Sequence, residues 1–261
     1  MKLAISRKLL LLLASISTLV SCTQYQYATI ISDTYRPDVH ENVIENDSVL
    51  IRYIFIVQHC PITVSIFNKL KTPMYVDWSK SSVIMNGQRQ SYWTDEAKIN
   101  AQSASFNIQN NQKYATTYGN LRGTIVKDEK ISFIPPNSGI VYSPTNIRQN
   151  CFDMPEGSGQ KVKIGTVYGP VKGTSYTCSK EDSPLDFRSF LTISNDEQFT
   201  KPMYFDNAFW VTEYFETKTK PEDLANIFSN QFYNSKLTSG GVFFGGVFLG
   251  GVILTSILLA N

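Results

Sequence analysis

Histidine is nearly missing from this 261-residue chain, which has two, His40 and His59. A hydrolase needs a nucleophile, a base and a group that orients the base, and imidazole this scarce makes such a set hard to assemble. His59 adjoins Cys60, but neighbours in an extended chain point to opposite faces, so the two are poorly placed as a thiolate-imidazole pair. Cysteine is also sparse, with four in all, and the histidines and cysteines together show no metal-ligand spacing. No G-x-S-x-G elbow, H-E-x-x-H zinc helix, P-loop or dinucleotide fingerprint occurs, so no catalytic residue, metal or cofactor is expected. Basic runs are lacking as well. The whole chain carries +2, but Lys2, Arg7 and Lys8 fall in the first 21 residues, which hold no acid, so the remainder is 2 − 3, about −1. Nothing in it neutralises a row of phosphates, which argues against nucleic acid as a partner.

What the sequence does contain begins with an address. Lys2, Arg7 and Lys8 precede a nearly unbroken apolar stretch from Leu9 to Val20, the pattern of an export signal. Its end, Leu19-Val20-Ser21-Cys22, resembles the bacterial lipobox, in which the cysteine is diacylated and becomes the new N-terminus after cleavage. Residues 1–21 are thus expected as a lipoprotein signal peptide and Cys22 as the lipidation site. That leaves Cys60, Cys151 and Cys178 in a compartment that permits disulfides, where at most one bridge can form within the chain and any of the three pairings is open. At the other end, residues 242–260 are free of charge over roughly 28 Å of helix, close to a bilayer core, and a C-terminal spanning helix is expected within 239–261. Gly241 to Gly245 and Gly246 to Gly250 add two G-x-x-x-G spacings that let another helix approach.

Between these ends the dominant pattern is the period of two. Ile62, Val64 and Ile66 alternate with Thr63 and Ser65; Met74, Val76 and Trp78 alternate with Tyr75 and Asp77; Asn86-Gly87 is a tight hairpin signal that returns the chain through Tyr92 and Trp93. These runs suggest a β-meander over 61–93. Val49 to Val57 is apolar on both faces apart from Arg52 and suits a central strand. Residues 94–123 predict a long loop or two weak edge strands, and residues 208–215 a strand with Phe209, Val211, Glu213 and Phe215 opposite Trp210, Thr212 and Tyr214. Residues 22–47 predict a lipidated tether, 48–217 an antiparallel β-sandwich, and 218–238 a linker with one short helix opened by Pro221. Trp78 and Trp210, each near an aspartate, could form sugar platforms, but alternating aromatics are expected in the core.

The strings NKLKTPMYVDWSKSSVIMNG, ISFIPPNSGIV and KPMYFDNAFWV resemble a family of uncharacterised lipoproteins of the Bacteroides type. The resemblance covers most of residues 22–216 and implies placement in the cell envelope and an immunoglobulin-like β-sandwich; the family offers no catalytic residues. Asp47-Ser48-Val49 looks like the O-glycosylation triplet of those bacteria, with Ser48 as the acceptor. Thr23-Gln24-Tyr25 lacks the acidic cluster that resembles their surface-export signal, which favours a periplasm-facing protein, inner or outer membrane being left open. Trp93, Tyr114 and Tyr118 are the aromatic residues least bound by the strand pattern and the candidates for ligand or partner contact. The expectation is therefore a non-enzymatic, membrane-anchored sandwich that binds or scaffolds an envelope protein or glycan, for instance through an exposed edge strand. The alternative is an enzyme or enzyme accessory acting on envelope polysaccharide or peptidoglycan, which requires a deep pocket with converging titratable groups.

Overall fold

The structure, a computed structural model, describes residues 23–95, 97–111, 114–153, 157 and 159–237, with residues 97–111 and 114–126 described by their backbone alone. Over these residues the regular structure is antiparallel strand, with one 3-10 turn. The spine of the larger sheet runs β11 (Ile131–Ile134), β6 (Met74–Asp77), β15 (Asp186–Ser194), β16 (Met203–Thr217), β1 (Thr23–Ser32), β17 (Gln231–Leu237). Two hairpins branch from it: β7 (Ser82–Met85) with β8 (Gln88–Ser91) on β15, and β14 (Val171–Thr177) with β13 (Gln160–Ile164) on β16. The smaller sheet runs β12 (Ser138–Asn146), β5 (Pro61–Asn68), β4 (Val49–Ile54), β3 (Glu41–Glu45), β2 (Tyr35–Arg36). A separate pair, β9 (Ala97–Asn111) and β10 (Tyr114–Lys127), forms a hairpin, the second of the two alternatives for 94–123.

The two sheets share one core, as the alternation requires. Ile51 and Tyr53 of β4 and Ile62, Val64 and Ile66 of β5 are fully buried, facing Ile30, Val76, Leu191, Phe209 and Val211 of the larger sheet. Tyr53 meets Phe209 edge-on at 4.7 Å between ring centres, and Trp78 stacks on Tyr142 of β12 at 4.2 Å. Trp78 also satisfies its indole N–H, donating to Ser132 Oγ at 2.9 Å, so a large ring is buried without an orphaned donor. At the β7–β8 turn Asn86 and Gly87 take φ values of 49° and 71°, the positive angles that the dipeptide signals.

Several expectations are corrected. Residues 61–93 are not a meander: β5 lies in the smaller sheet, while β6, β7 and β8 cross to the larger one. Thr23–Ser32, expected within a tether, is β1, hydrogen-bonded on both sides by β16 and β17. Its polar look has a cause, since Gln26 is 3% exposed and closes a ring with the backbone of Phe152, accepting from its N–H at 2.5 Å and donating to its carbonyl at 3.1 Å. The expected linker over 218–238 contains β17, and the helix at Pro221 is one 3-10 turn, Pro221–Asp223, followed by an extended Leu224. β16 carries a bulge where β1 passes from the pair Thr29–Glu213 to the pair Ile30–Val211, so Thr212 is the extra residue. Beyond it the alternation inverts: Tyr214 enters the core and Phe215 turns to the outer face against Tyr27. Trp210, expected in the core, is half-buried on the outer face with the Lys180 ammonium 4.1 Å over its ring. The signal peptide with Cys22 and the apolar segment 242–260 lie outside the described residues; among those described, no helix is long and apolar enough to cross a membrane.

Candidate functional site

A groove of about 540 Å³ opens on the larger sheet where β1 begins and β16 ends, and Gln24, Lys161, Tyr168, Lys172, Glu216 and Lys218 stand on its wall. Register explains the grouping. Thr174 of β14 pairs with Glu216, and Tyr25 of β1 pairs with Thr217, so the last residues of β16 carry β14 on one side and the first residues of β1 on the other. Gly173 allows the close approach of β14, since a Cβ there would sit 3.0 Å from the Glu216 carbonyl oxygen. The Glu216 carboxylate is the hub of this wall. It accepts from Gln24 Nε2 at 2.6 Å, from Gln26 Nε2 at 3.3 Å and from Lys236 Nζ at 2.6 Å. A carboxylate engaged by three donors holds strands together.

The far wall is basic. Lys161 donates to Thr174 Oγ1 at 2.8 Å, and Lys163 sits directly opposite Lys172 across the β13–β14 hairpin. Like charges in register destabilise a hairpin, so this pair is retained at some cost to folding. The turn between the two strands presents Val167 at 60% and Tyr168 at 86% exposure. It is a built turn: Thr166 Oγ1 donates to the Gly169 carbonyl and accepts the Tyr168 N–H, Gly169 takes φ 109°, and Val167 N–H donates to the Asp223 carbonyl at 2.9 Å.

The residues singled out from sequence are not brought together. Trp93 is half-buried at the base of the β9–β10 hairpin, where its indole donates to the Asp128 carbonyl at 3.0 Å. Tyr114 and Tyr118 lie on β10, which returns to that base only at Lys127. At about 3.3 Å per residue this puts their backbone roughly 30 to 40 Å along the strand from Trp93. Their side chains are outside the described residues. Ser48 is half-buried in the β3–β4 turn, its N–H donating to Asn46 Oδ1 at 2.9 Å and its carbonyl accepting the Lys69 N–H at 2.9 Å. Asp77 caps its own turn through Ser79 and Lys80, and Asp206 is held by Arg188 in two hydrogen bonds, so neither carboxylate serves a sugar platform.

Cys60, Cys151 and Cys178 are all unpaired, and burial pushes each thiol above its ordinary range, furthest for Cys60, which has no exposure. His59 turns its Nδ1 instead to Asn234 Oδ1 and the Gln149 carbonyl, each at 3.2 Å. Among the described residues no three His, Cys, Asp or Glu side chains gather as a metal site. Sequence reading missed the groove because its lysines are spread over β13, β14 and the end of β16. The available signal was the alternation Lys161-Val162-Lys163-Ile164, which puts two charges on one face of a strand. No protein-family model, curated protein or solved structure matches the chain.

Proposed function

We propose that the chain is a membrane-anchored cell-envelope lipoprotein whose immunoglobulin-like sandwich binds or scaffolds another envelope component, akin to the Bacteroides-type lipoproteins it resembles in sequence. The observation that carries this reading is the pairing of Thr23 with Leu237 at the ends of β1 and β17. Thr23 follows Cys22 directly and Leu237 stands five residues before Val242, so both expected anchors connect to neighbouring ends of β1 and β17. Attachment at that end of the sheet leaves its other surfaces to a partner. An open edge is available for that partner. Among the described residues β12 pairs with β5 alone, Val141 on it is 69% exposed, and Pro144 together with a register irregularity near Tyr142 limits free strand addition to the Gly139–Tyr142 stretch.

The alternative of an enzyme on envelope polymers gains little from the groove, where Glu216 is engaged by Gln24, Gln26 and Lys236 and no imidazole or thiol lines the wall. The test is metabolic labelling of the full chain with a clickable fatty acid, beside Cys22→Ser. Label on the native chain that vanishes in the variant, with uncleaved precursor accumulating, is the expected result. Equal labelling of both chains, or of neither, rejects the reading.

A further inference from the structure

The same register that brings Thr23 beside Leu237 also brings the basic hairpin to that end. Extending the pairs Tyr25–Thr217 and Thr174–Glu216 by a few residues sets Thr23 and Val171 on either side of Thr219. The 165–170 turn, which follows the last β13–β14 pair Ile164–Val171, is therefore the outermost part of the sheet at the end from which both terminal segments emerge. Three sheet spacings separate β13 from β1, roughly 14 Å. The turn is a lateral neighbour of the anchors, offset from them across the sheet.

Its chemistry is that of an interface with lipid. Lys163, Lys172, Lys218 and Lys220 are exposed and make no ion pair among the described residues, while Lys236 is bound to Glu216. Glu222 and Asp223 offset part of this charge. Between the lysines project Val167 and Tyr168, with Leu237 64% exposed beside the start of β1. A tyrosine with a cationic collar is the composition that settles at the headgroup level of an anionic bilayer. Folding does not account for it, because the Lys163–Lys172 register is repulsive and the exposed Tyr168 buries little surface.

We infer that the 165–170 turn and the lysines around it form a docking foot that takes anionic phospholipid headgroups and sets the tilt of the sandwich on the membrane. Two anchors joined to neighbouring strand ends define an edge about which the domain can rock; a third contact to one side removes that freedom. This inference rests on the anchored reading above, and it adds which face meets the bilayer and which lipid it selects.

The experiment uses the full chain purified from membranes, with p-benzoylphenylalanine at Tyr168 or, as control, at Val39. Val39 is 51% exposed and precedes His40, whose carbonyl accepts from Ser229 Oγ near the opposite end of β1. The chain is reconstituted into phosphatidylcholine vesicles with or without phosphatidylglycerol, floated, irradiated and analysed for lipid adducts by mass spectrometry. Adducts are expected from position 168 and not from position 39. They should fall roughly fivefold or more when phosphatidylglycerol is omitted, or in a Lys163→Gln, Lys172→Gln, Lys218→Gln background. A chain that floats but gives no lipid adduct at 168, or equal adducts at both positions, overturns the foot while leaving the anchored reading intact. A chain that fails to float overturns both.

Discussion

Where β1 begins, the larger sheet carries Lys172, Lys218 and Lys220, without ion partners among the described residues, and a turn with Tyr168 almost fully exposed. Where β1 ends, it carries Asp33, Glu181, Asp182 and Asp186, and Lys180 there is bound to Asp33 at 3.0 Å while lying over Trp210. The two ends of one sheet thus bear opposite charge in a chain whose net charge is +2. A near-neutral total can hide a charge axis, because topology sorts the residues after the composition has been summed. The ends also differ in how they are held. At the β1 start the contacts are buried: Tyr27 is 1% exposed, packs on Phe215 at 5.0 Å between ring centres and donates to the Thr219 carbonyl at 2.9 Å. At the other end buried contacts around Ile30 and Ser32 are joined by solvent-exposed ion and cation–π contacts, worth little each.

The largest effect is expected from Tyr27→Ala. Removing a buried ring and the hydroxyl that tethers Thr219 should cost about 3 to 5 kcal/mol, read from thermal or urea unfolding. Trp210→Ala at the opposite end should cost no more than about 1 kcal/mol, since its ring is only half-buried. Equal shifts from the two variants would show that the ends are held alike. A smaller effect separates the carboxylates. Glu216→Gln leaves Lys236 without its counter-charge on a side chain 12% exposed and should cost about 1 to 3 kcal/mol, against about 0 to 1 for Asp33→Asn, whose side chain is 63% exposed.

The smallest effect concerns pH. Glu181 is held below the usual carboxylate range by its own backbone N–H and then by the Ser179 hydroxyl. Its folded value lies under its unfolded one, so its contribution is present at neutral pH and is lost as pH falls through the folded value. Amide exchange across 179–186, corrected for intrinsic rate, should quicken on acidification while exchange along Tyr25–Thr29 holds steady.

The stretches of the fold legible in sequence are those where one face is dry and the other wet. Ile62, Val64 and Ile66, and Met74, Val76 and Trp78, are all fully buried, as their spacing predicts. β1 and β17 escaped because polar residues satisfied by hydrogen bonds, Gln26 and Asn234, are buried among their apolar ones and break the apolar alternation. Gln26 bonds Phe152, and Asn234 donates to the Asn150 carbonyl at 3.0 Å while accepting the His59 N–H at 3.2 Å. A strand stabilised this way has the composition of a linker. The Thr212 bulge defeated the alternation in β16 from within, since one inserted residue exchanges the two faces. The groove was illegible for a different reason. None of its strands carries the site alone, and Lys161, Lys172 and Lys218 become neighbours only once β13, β14 and β16 are paired.

The adjacency of Thr23 and Leu237 has a mechanical consequence. If the two termini are drawn away from each other, the β1–β17 ladder is loaded crosswise and its hydrogen bonds break in succession from the end. If both are held on one side and the body is pulled away, β1 is loaded along its length against β16 and many bonds are strained at once. The first geometry peels at low force and the second shears at high force. A protein fixed at both ends to one surface would therefore resist a partner's tug far better than the isolated domain resists the separation of its ends.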